Sequence, residues 1–237
     1  TVKILIEYFE KNQIAWDSQM INKLDAYMNG ILQWNEHINL TAIREPEDFI
    51  RKHYLDSLSC ILLPEYQEAG MIADMGTGAG FPGIPLAIFS PEKKFVLMDS
   101  LQKRLNVIEQ LCADIGIDNV ITVHGRAEDL GRQPAHREKY DLCLSRAVAN
   151  LSVLCEYCLP IVKQGGYMMA YKGRDAENEL TAAEGAIRKL GGSFENMIPT
   201  PLDREGDEHK LLLIKKTGPT GSKYPRKAGT PAKEPLK

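Results

Sequence analysis

At 237 residues, with 43% apolar and 26% charged side chains, the chain has the composition of an ordinary globular protein with room for one large domain, or one domain and an appendage. No apolar run approaches ~18 residues, which argues against a membrane-spanning helix. A net charge of −3 does not advertise a nucleic-acid partner.

Residues 1–66 read as an N-terminal helical cap. The stretch 2–9 carries charges within its apolar residues and has no small-residue cleavage site, so it is not expected to be a signal peptide. Asp17 or Ser18 can cap a helix whose apolar positions, Ile21, Leu24, Tyr27, Met28, Ile31 and Leu32, recur at helical spacing. Glu45-Pro46-Glu47-Asp48 is a second helix start, with proline and acids in the first turn. Phe49, Ile50, His53, Tyr54 and Ser57 would share one face of the helix that follows. His53 is a candidate for the site, although a lone histidine on a partly apolar face is more often structural; Asn39, Thr41, Arg51 and Lys52 could line a groove.

From residue 67 to 216 the pattern changes to strand and helix in alternation. The first strand, 71–74, ends in Asp74 and runs into Gly76, Gly78 and Gly80, followed by Phe81, Pro82 and Gly83. Alternate glycines permit positive φ and bring backbone close to a ligand. Pro82 suits a first helical position. Such a loop at a strand's carboxyl end is where open α/β sheets bind nucleotides. Two ligand classes compete for it. Gly78-x-Gly80-x-x-Gly83 matches the dinucleotide fingerprint, but it starts four residues beyond Asp74. Counted from Asp74, the pattern D-x-G-x-G-x-G resembles the first motif of S-adenosylmethionine (SAM) methyltransferases.

The second strand, 94–99, ends in Asp99, 23 residues after Gly76. An acid there accepts hydrogen bonds from a ribose in either ligand class. Ser100 can cap the next helix, with Leu101, Leu105, Ile108 and Leu111 on its buried face. The third strand is 119–123, and Ala127-Glu128 lies in the loop or short helix after it, where an adenine would rest. The fourth is 140–145, followed by Arg146 at the switch point beside the glycine loop. A helix over 151–159 ends at Pro160, and its Cys155-x-x-Cys158 reads as two small apolar residues one turn apart. No second pair exists, so no metal site is expected. The odd, scattered cysteines (Cys60, Cys112, Cys143, Cys155, Cys158) predict reduced thiols and a cytoplasmic protein.

A fifth strand follows Gly165-Gly166, then a helix over 176–190 and two strands, 193–198 and 209–214. The last two are joined without a helix and can pair antiparallel. The expectation is an α/β, doubly wound, mostly parallel seven-stranded sheet with an N-terminal helical extension. Residues 217–237 carry Lys223, Arg226, Lys227, Lys233 and Lys237 against Glu234, a balance of +4 that leaves −7 on the rest. Rich in proline, glycine and lysine, this tail is expected to be flexible in isolation.

The motifs N-L-T-A-I at 39–43, H-Y-L-D-S-L at 53–58, D-M-G-T-G-A-G-F-P-G-I-P-L at 74–86, G-R-A-E at 125–128, S-R-A-V at 145–148 and Y-K-G at 171–173, with the basic tail, resemble the bacterial small-subunit ribosomal RNA methyltransferase G (glucose-inhibited division protein B) family over nearly the whole chain. The resemblance implies a Rossmann-like class I SAM-dependent methyltransferase that modifies guanine N7 in the decoding region of small-subunit (16S) rRNA. It implies a SAM site of Gly76, Phe81, Ala127, Glu128 and Arg146, to which the reading above adds Asp74, Gly78, Gly80, Asp99 and Ser100. The candidate RNA contacts are His53, Arg146, Lys172, Lys223, Arg226 and Lys227. The expected partner is the small subunit or its RNA, with the enzyme a monomer. No Pro-Cys and no Asn-Pro-Pro-Tyr occurs, which disfavours transfer to a pyrimidine carbon or an exocyclic amine. Two alternatives stand beside this reading, an NAD-dependent oxidoreductase and a non-catalytic RNA-binding factor.

Overall fold

In a computed structural model that describes residues 2–146, 149–200 and 209–237, the alternation of strand and helix closes into a seven-stranded sheet. Helices α1 (Val2–Lys11) and α2 (Ser18–Trp34) lead in. Asp17 caps α2 by accepting the Met20 N–H at 2.8 Å, which is why that helix starts where the sequence predicts.

The next helix departs from expectation. Instead of one α-helix there is α3 (Pro46–Phe49), then a π-helical turn over Ile50–Leu55, then α4 (Asp56–Leu58). The predicted face keeps Phe49, Ile50, Tyr54 and Ser57 buried, while His53 is half-buried at the site. A π turn takes an extra residue per hydrogen-bonded ring, so the 3.6-residue period used to predict that face does not apply here. A short α5 (Pro64–Glu68) precedes the sheet.

The sheet then builds from β1 (Met71–Met75), α6 (Gly83–Phe89), β2 (Lys94–Asp99), α7 (Gln102–Ile115), β3 (Val120–His124), α8 (Ala127–Leu130), β4 (Tyr140–Ser145), α9 (Leu151–Cys158), β5 (Val162–Lys172), α10 (Ala176–Lys189), β6 (Gly192–Pro199) and β7 (Lys210–Lys216). A last turn, α11 (Thr230–Lys233), lies in the tail. Strand order is β3-β2-β1-β4-β5-β7-β6. The first five strands pair in parallel, and β7 pairs antiparallel with both β5 and β6. Chain order reverses direction between β1 and β4, so the switch point falls there, and open α/β sheets bind ligands outside that point.

Strand alternation divides the interior into two cores. Ile72, Phe95, Leu97, Leu142 and Leu144 face the N-terminal helices with α6 and α7. Ala73, Val96, Met98, Cys143 and Met168 face α9 and α10. Cys155 and Cys158 are buried in this second core, where burial pushes the Cys155 thiol well above its usual range.

Three local expectations are corrected. Ser100 does not cap α7: Leu101 holds the cap position and stands 51% exposed, off the buried face. The cause is Asp99, whose Oδ1 takes the Leu101 N–H at 2.8 Å and closes the turn first. Pro82 precedes α6 instead of opening it, and the first amide of that helix, Gly83 N–H, donates to Asp74 Oδ2 at 2.9 Å. The tail lies packed on the body, with Tyr224 buried in the second core.

Candidate functional site

The glycine loop is held from both sides by acids at strand ends. Gly76, Gly78 and Gly80 all take positive φ, of 73°, 61° and 90°. Asp74 is wholly buried. Its Oδ2 accepts the Thr77 hydroxyl at 2.6 Å and the Gly83 N–H, while its Oδ1 has no hydrogen-bond partner among the described residues. Burial raises the Asp74 carboxyl to about 6, against the pull of those two hydrogen bonds. Asp99 Oδ2 accepts the Gly78 N–H at 2.9 Å, so one carboxylate pins both the loop and the start of α7. We expect Asp99→Ala to lower unfolding free energy by about 2 kcal/mol, with Asp99→Asn closer to wild type because it keeps one acceptor oxygen; urea denaturation measures both.

Two cavities flank the loop. The first, of about 270 Å³, lies on the β2 side. Its walls are Met75 and Gly76 after β1, Met98, Asp99 and Ser100 at β2, and Gly125 to Glu128 after β3. Leu154 and Tyr157 of α9, with Gly229 and Ala232 of the tail, complete it. Thus Gly76, Asp99, Ser100, Ala127 and Glu128 line one cavity. Glu128 is buried, and its Oε1 accepts the Gly229 N–H at 2.8 Å.

The donor set suits an adenosine-type group. Asp99 and Glu128 reach the walls together with Arg126, much of the remaining surface is apolar, and the volume lies just under the usual range for small-molecule sites. A helix's first-turn amides have no intrahelical acceptor, and those of Ala127 and Glu128 open α8 at this wall.

The second cavity, of about 220 Å³, lies on the β5 side and is lined by Lys52, His53, Asp56, Arg146, Lys172 and His209, with Tyr171 and Gly173. Ser145 Oγ donates to Met75 O at 3.0 Å and ties the end of β4 to the end of β1. Arg146 then turns toward the π-helical turn. Its Nη1 donates to Lys52 O at 2.9 Å and Asp56 Oδ2 at 3.0 Å, and its Nη2 donates to His53 Nδ1 at 2.9 Å. Its guanidinium lies 5.4 Å from the Phe81 ring centre. Phe81 in turn stacks on His53 at 4.4 Å with planes 3° apart. Arg146 and Phe81 therefore meet the second cavity's lining, and the walls of the first are made without them. Gly78 and Gly80 line neither cavity. Ala147 and Val148, which complete the S-R-A-V motif, lie outside the described residues.

The arginine bond fixes the histidine's tautomer. A guanidinium only donates, so Nδ1 of His53 accepts and its proton sits on Nε2, facing Thr41 Oγ1 at 2.8 Å. Burial, then the Arg146 charge, lowers the His53 imidazole to about 3. Unfolded, it takes a proton near 6.5. Between those values the unfolded state binds more protons, so this group's stabilisation is complete above about 6.5 and is lost as pH falls toward 3. We expect His53→Gln to flatten the rise of the urea midpoint between pH 4.5 and 7.5. Asp56 is also buried, which pushes its carboxyl up, but the His209 bond at 3.1 Å and the Arg146 contact outweigh burial and hold it below its usual range.

The remaining predicted contacts divide. Lys172 reaches the second cavity but is committed to Ala149 O at 2.6 Å and Glu179 Oε2 at 2.7 Å. Lys223 and Lys227 are exposed on the tail. Arg226 is drawn away from an RNA role: it sits on the buried Glu156. Asp56, His209, Tyr157, Glu156 and Gly229 were missed. Asp56 belongs to the H-Y-L-D-S-L motif and Gly229 to the basic tail, whereas nothing local marks His209, 153 residues from its partner Asp56.

Comparison with known proteins supplies the family. The sequence pattern of the family described as rRNA small subunit methyltransferase G (GidB) matches residues 20–203. A ribosomal RNA small subunit methyltransferase G from Alkaliphilus oremlandii is 51% identical over 234 residues, covering 99% of this chain and 98% of that one. The protein of that name from Desulforamulus reducens is 48% identical over 212 residues, 90% and 88% of the two chains. Among solved structures, TYW2 from M. jannaschii in complex with AdoMet shares the fold, with a TM-score of 0.55 at 14% identity over 74% of this chain and 79% of that one. The chain therefore belongs to the rRNA small subunit methyltransferase G family.

Proposed function

We propose that the chain transfers the methyl group of SAM to N7 of a guanosine in the decoding region of small-subunit (16S) rRNA. The observation that carries this is the pair of cavities on either side of the β1/β4 switch point, one acidic and apolar, the other basic. Bound in the first, SAM supplies a methyl group on a cationic sulfonium. Asp99 and Ser100 at the end of β2 suit the ribose, and the Ala127-Glu128 turn suits the adenine edge. The second cavity is the place for the guanosine.

Guanine N7 presents a lone pair and has no proton to lose, so the chain needs no general base. The locked, neutral His53 fits that: it holds Arg146 and stacks on Phe81 without exchanging a proton. Arg146 has five N–H donors and uses three on described residues. Its remaining donors, with Lys52 nearby, suit a phosphate or a base oxygen. Catalysis then rests on holding two reactants aligned and on charge complementary to the shifting sulfonium charge.

The same reading places the protein in the cytoplasm as a monomer acting on the small subunit or its RNA. No helix among the described residues is long and apolar enough to cross a membrane. The test is methyl transfer from labelled SAM to small subunits and to naked RNA from cells lacking the enzyme. The product is then probed by strand cleavage specific to N7-methylguanosine. Label at one cleavable guanosine supports the proposal. Tight SAM binding with no such label on either substrate overturns the guanine assignment.

A further inference from the structure

The basic tail does not trail into solvent. Arg137 catches its root, with Nη2 donating to Thr220 O at 2.6 Å and Nη1 to Tyr224 O at 2.8 Å. Arg226 then clamps it. Its backbone N–H and Nε donate to Glu156 Oε1 at 2.7 and 3.0 Å, and its Nη2 donates to Glu156 Oε2 at 2.7 Å. Glu156 is wholly buried on α9, so this is a bidentate pair of the stronger kind. Beyond the clamp, the Gly229 N–H lands on Glu128 Oε1 at 2.8 Å. Gly229 and Ala232 thereby become part of the wall of the first cavity.

We propose that this strap is a working part of the cofactor site, closing the adenine end of the first cavity, so that cofactor binding and strap closure reinforce each other. The inference rests on the first cavity taking SAM. Glu128 is the link. It is expected at the adenine by the resemblance, and its carboxylate is oriented by the strap's own amide. A group that contacts only the closed arrangement must stabilise it, and closure must tighten that group's binding by the same factor. Arg226 and Glu156 are positioning residues here, since neither lines the cavity. The tail's charge therefore has a second use besides RNA: Arg226 is spent on holding the wall.

The experiment is calorimetric titration of the full chain with SAM, without RNA, for wild type, Arg226→Ala and Arg226→Lys. We expect Arg226→Ala to raise Kd for SAM at least about tenfold. Arg226→Lys should recover part of that, since lysine keeps the charge but not the fork. In the transfer assay, KM for SAM should rise while kcat at saturating SAM stays within about twofold; a general loss of structure would instead lower kcat and leave KM unchanged. Wild-type hydrogen exchange decides the matter even if the variants fold poorly. Exchange at the Gly229 and Ala232 amides should slow at least about fivefold when SAM is added. Unchanged exchange at Gly229 in the wild type with SAM bound overturns the proposal, and so does an unchanged Kd in a folded Arg226→Ala. Tighter SAM binding in Arg226→Ala also overturns it, because the strap would then be an obstruction. Wild type showing no SAM binding at all sinks the cofactor assignment itself, and the strap with it.

Discussion

Arg146→Ala is expected to lower kcat/KM at least about 100-fold, because a misplacement of 1 Å at reacting groups already costs that much. The residue joins three elements that the chain brings together only on folding. It spans Lys52 O, Asp56 and His53 from the end of β4. Its removal leaves Asp56, 2% exposed, with His209 as its described partner. Truncating one partner of a buried charge pair costs about 3 kcal/mol, so the urea midpoint should fall as well. The two losses can be separated. Arg146→Lys keeps the charge but cannot bridge three acceptors in a fixed plane, and we expect it to be nearly as inactive yet more stable than alanine. The His53 imidazole gives an independent signature. Burial is the larger reason for its lowered value, but the Arg146 charge is the second. In Arg146→Ala the imidazole should therefore titrate above about 3, as NMR would show. Full activity and full RNA affinity in Arg146→Ala would remove this residue from the site.

The second large effect is expected at Gly80. Its φ of +90° is one that side chains rarely adopt, and a Cβ there would stand 2.4 Å from Tyr27 Oη and 2.7 Å from Ile84 Cγ1. Strain and overpacking act together, so Gly80→Ala should cost about 3 kcal/mol or more. Gly78 separates the two causes. Its φ is +61°, but a Cβ there meets nothing within 4 Å, so Gly78→Ala should cost about 1 kcal/mol from backbone strain alone. Equal costs at the two positions would show that the contact with Tyr27 is not what matters. The Tyr27 hydroxyl donates to Ala79 O at 2.9 Å, and Tyr27→Phe alone should cost about 1 kcal/mol. Combined with Gly80→Ala it also removes the nearest clashing atom, so the double variant should be less destabilised than the sum. Activity should follow Gly80 more than Gly78, because Gly80 precedes Phe81, and Phe81 carries the stacked His53 and Arg146.

How much of this was legible in the sequence depended on whether the deciding contact was local. Strands Lys94–Asp99 and Tyr140–Ser145 match the predicted spans because each is a nearly continuous apolar run, as parallel strands covered on both faces are. The Asp17 cap was equally readable, since its acceptor and donor are three residues apart. Leu101 was misread because helical spacing alone would bury it, whereas Asp99 closes the turn ahead of it. The tail was misread for a different reason. Composition marks it as polar and basic, but Arg226 finds its acid 70 residues away on α9.

The sequence by itself determined the doubly wound sheet, the glycine loop at the end of β1 and the acid at the end of β2. Those features follow from periodicity, backbone freedom and chain order, which act over a few residues. Only the tertiary structure decided that the candidate residues split between two cavities, that burial and the Arg146 contact keep His53 neutral, and that the tail walls the first cavity. Each of those depends on partners brought together from 70 to 153 residues apart. At such separations a sequence supplies the chemical groups, and only packing chooses which of them meet.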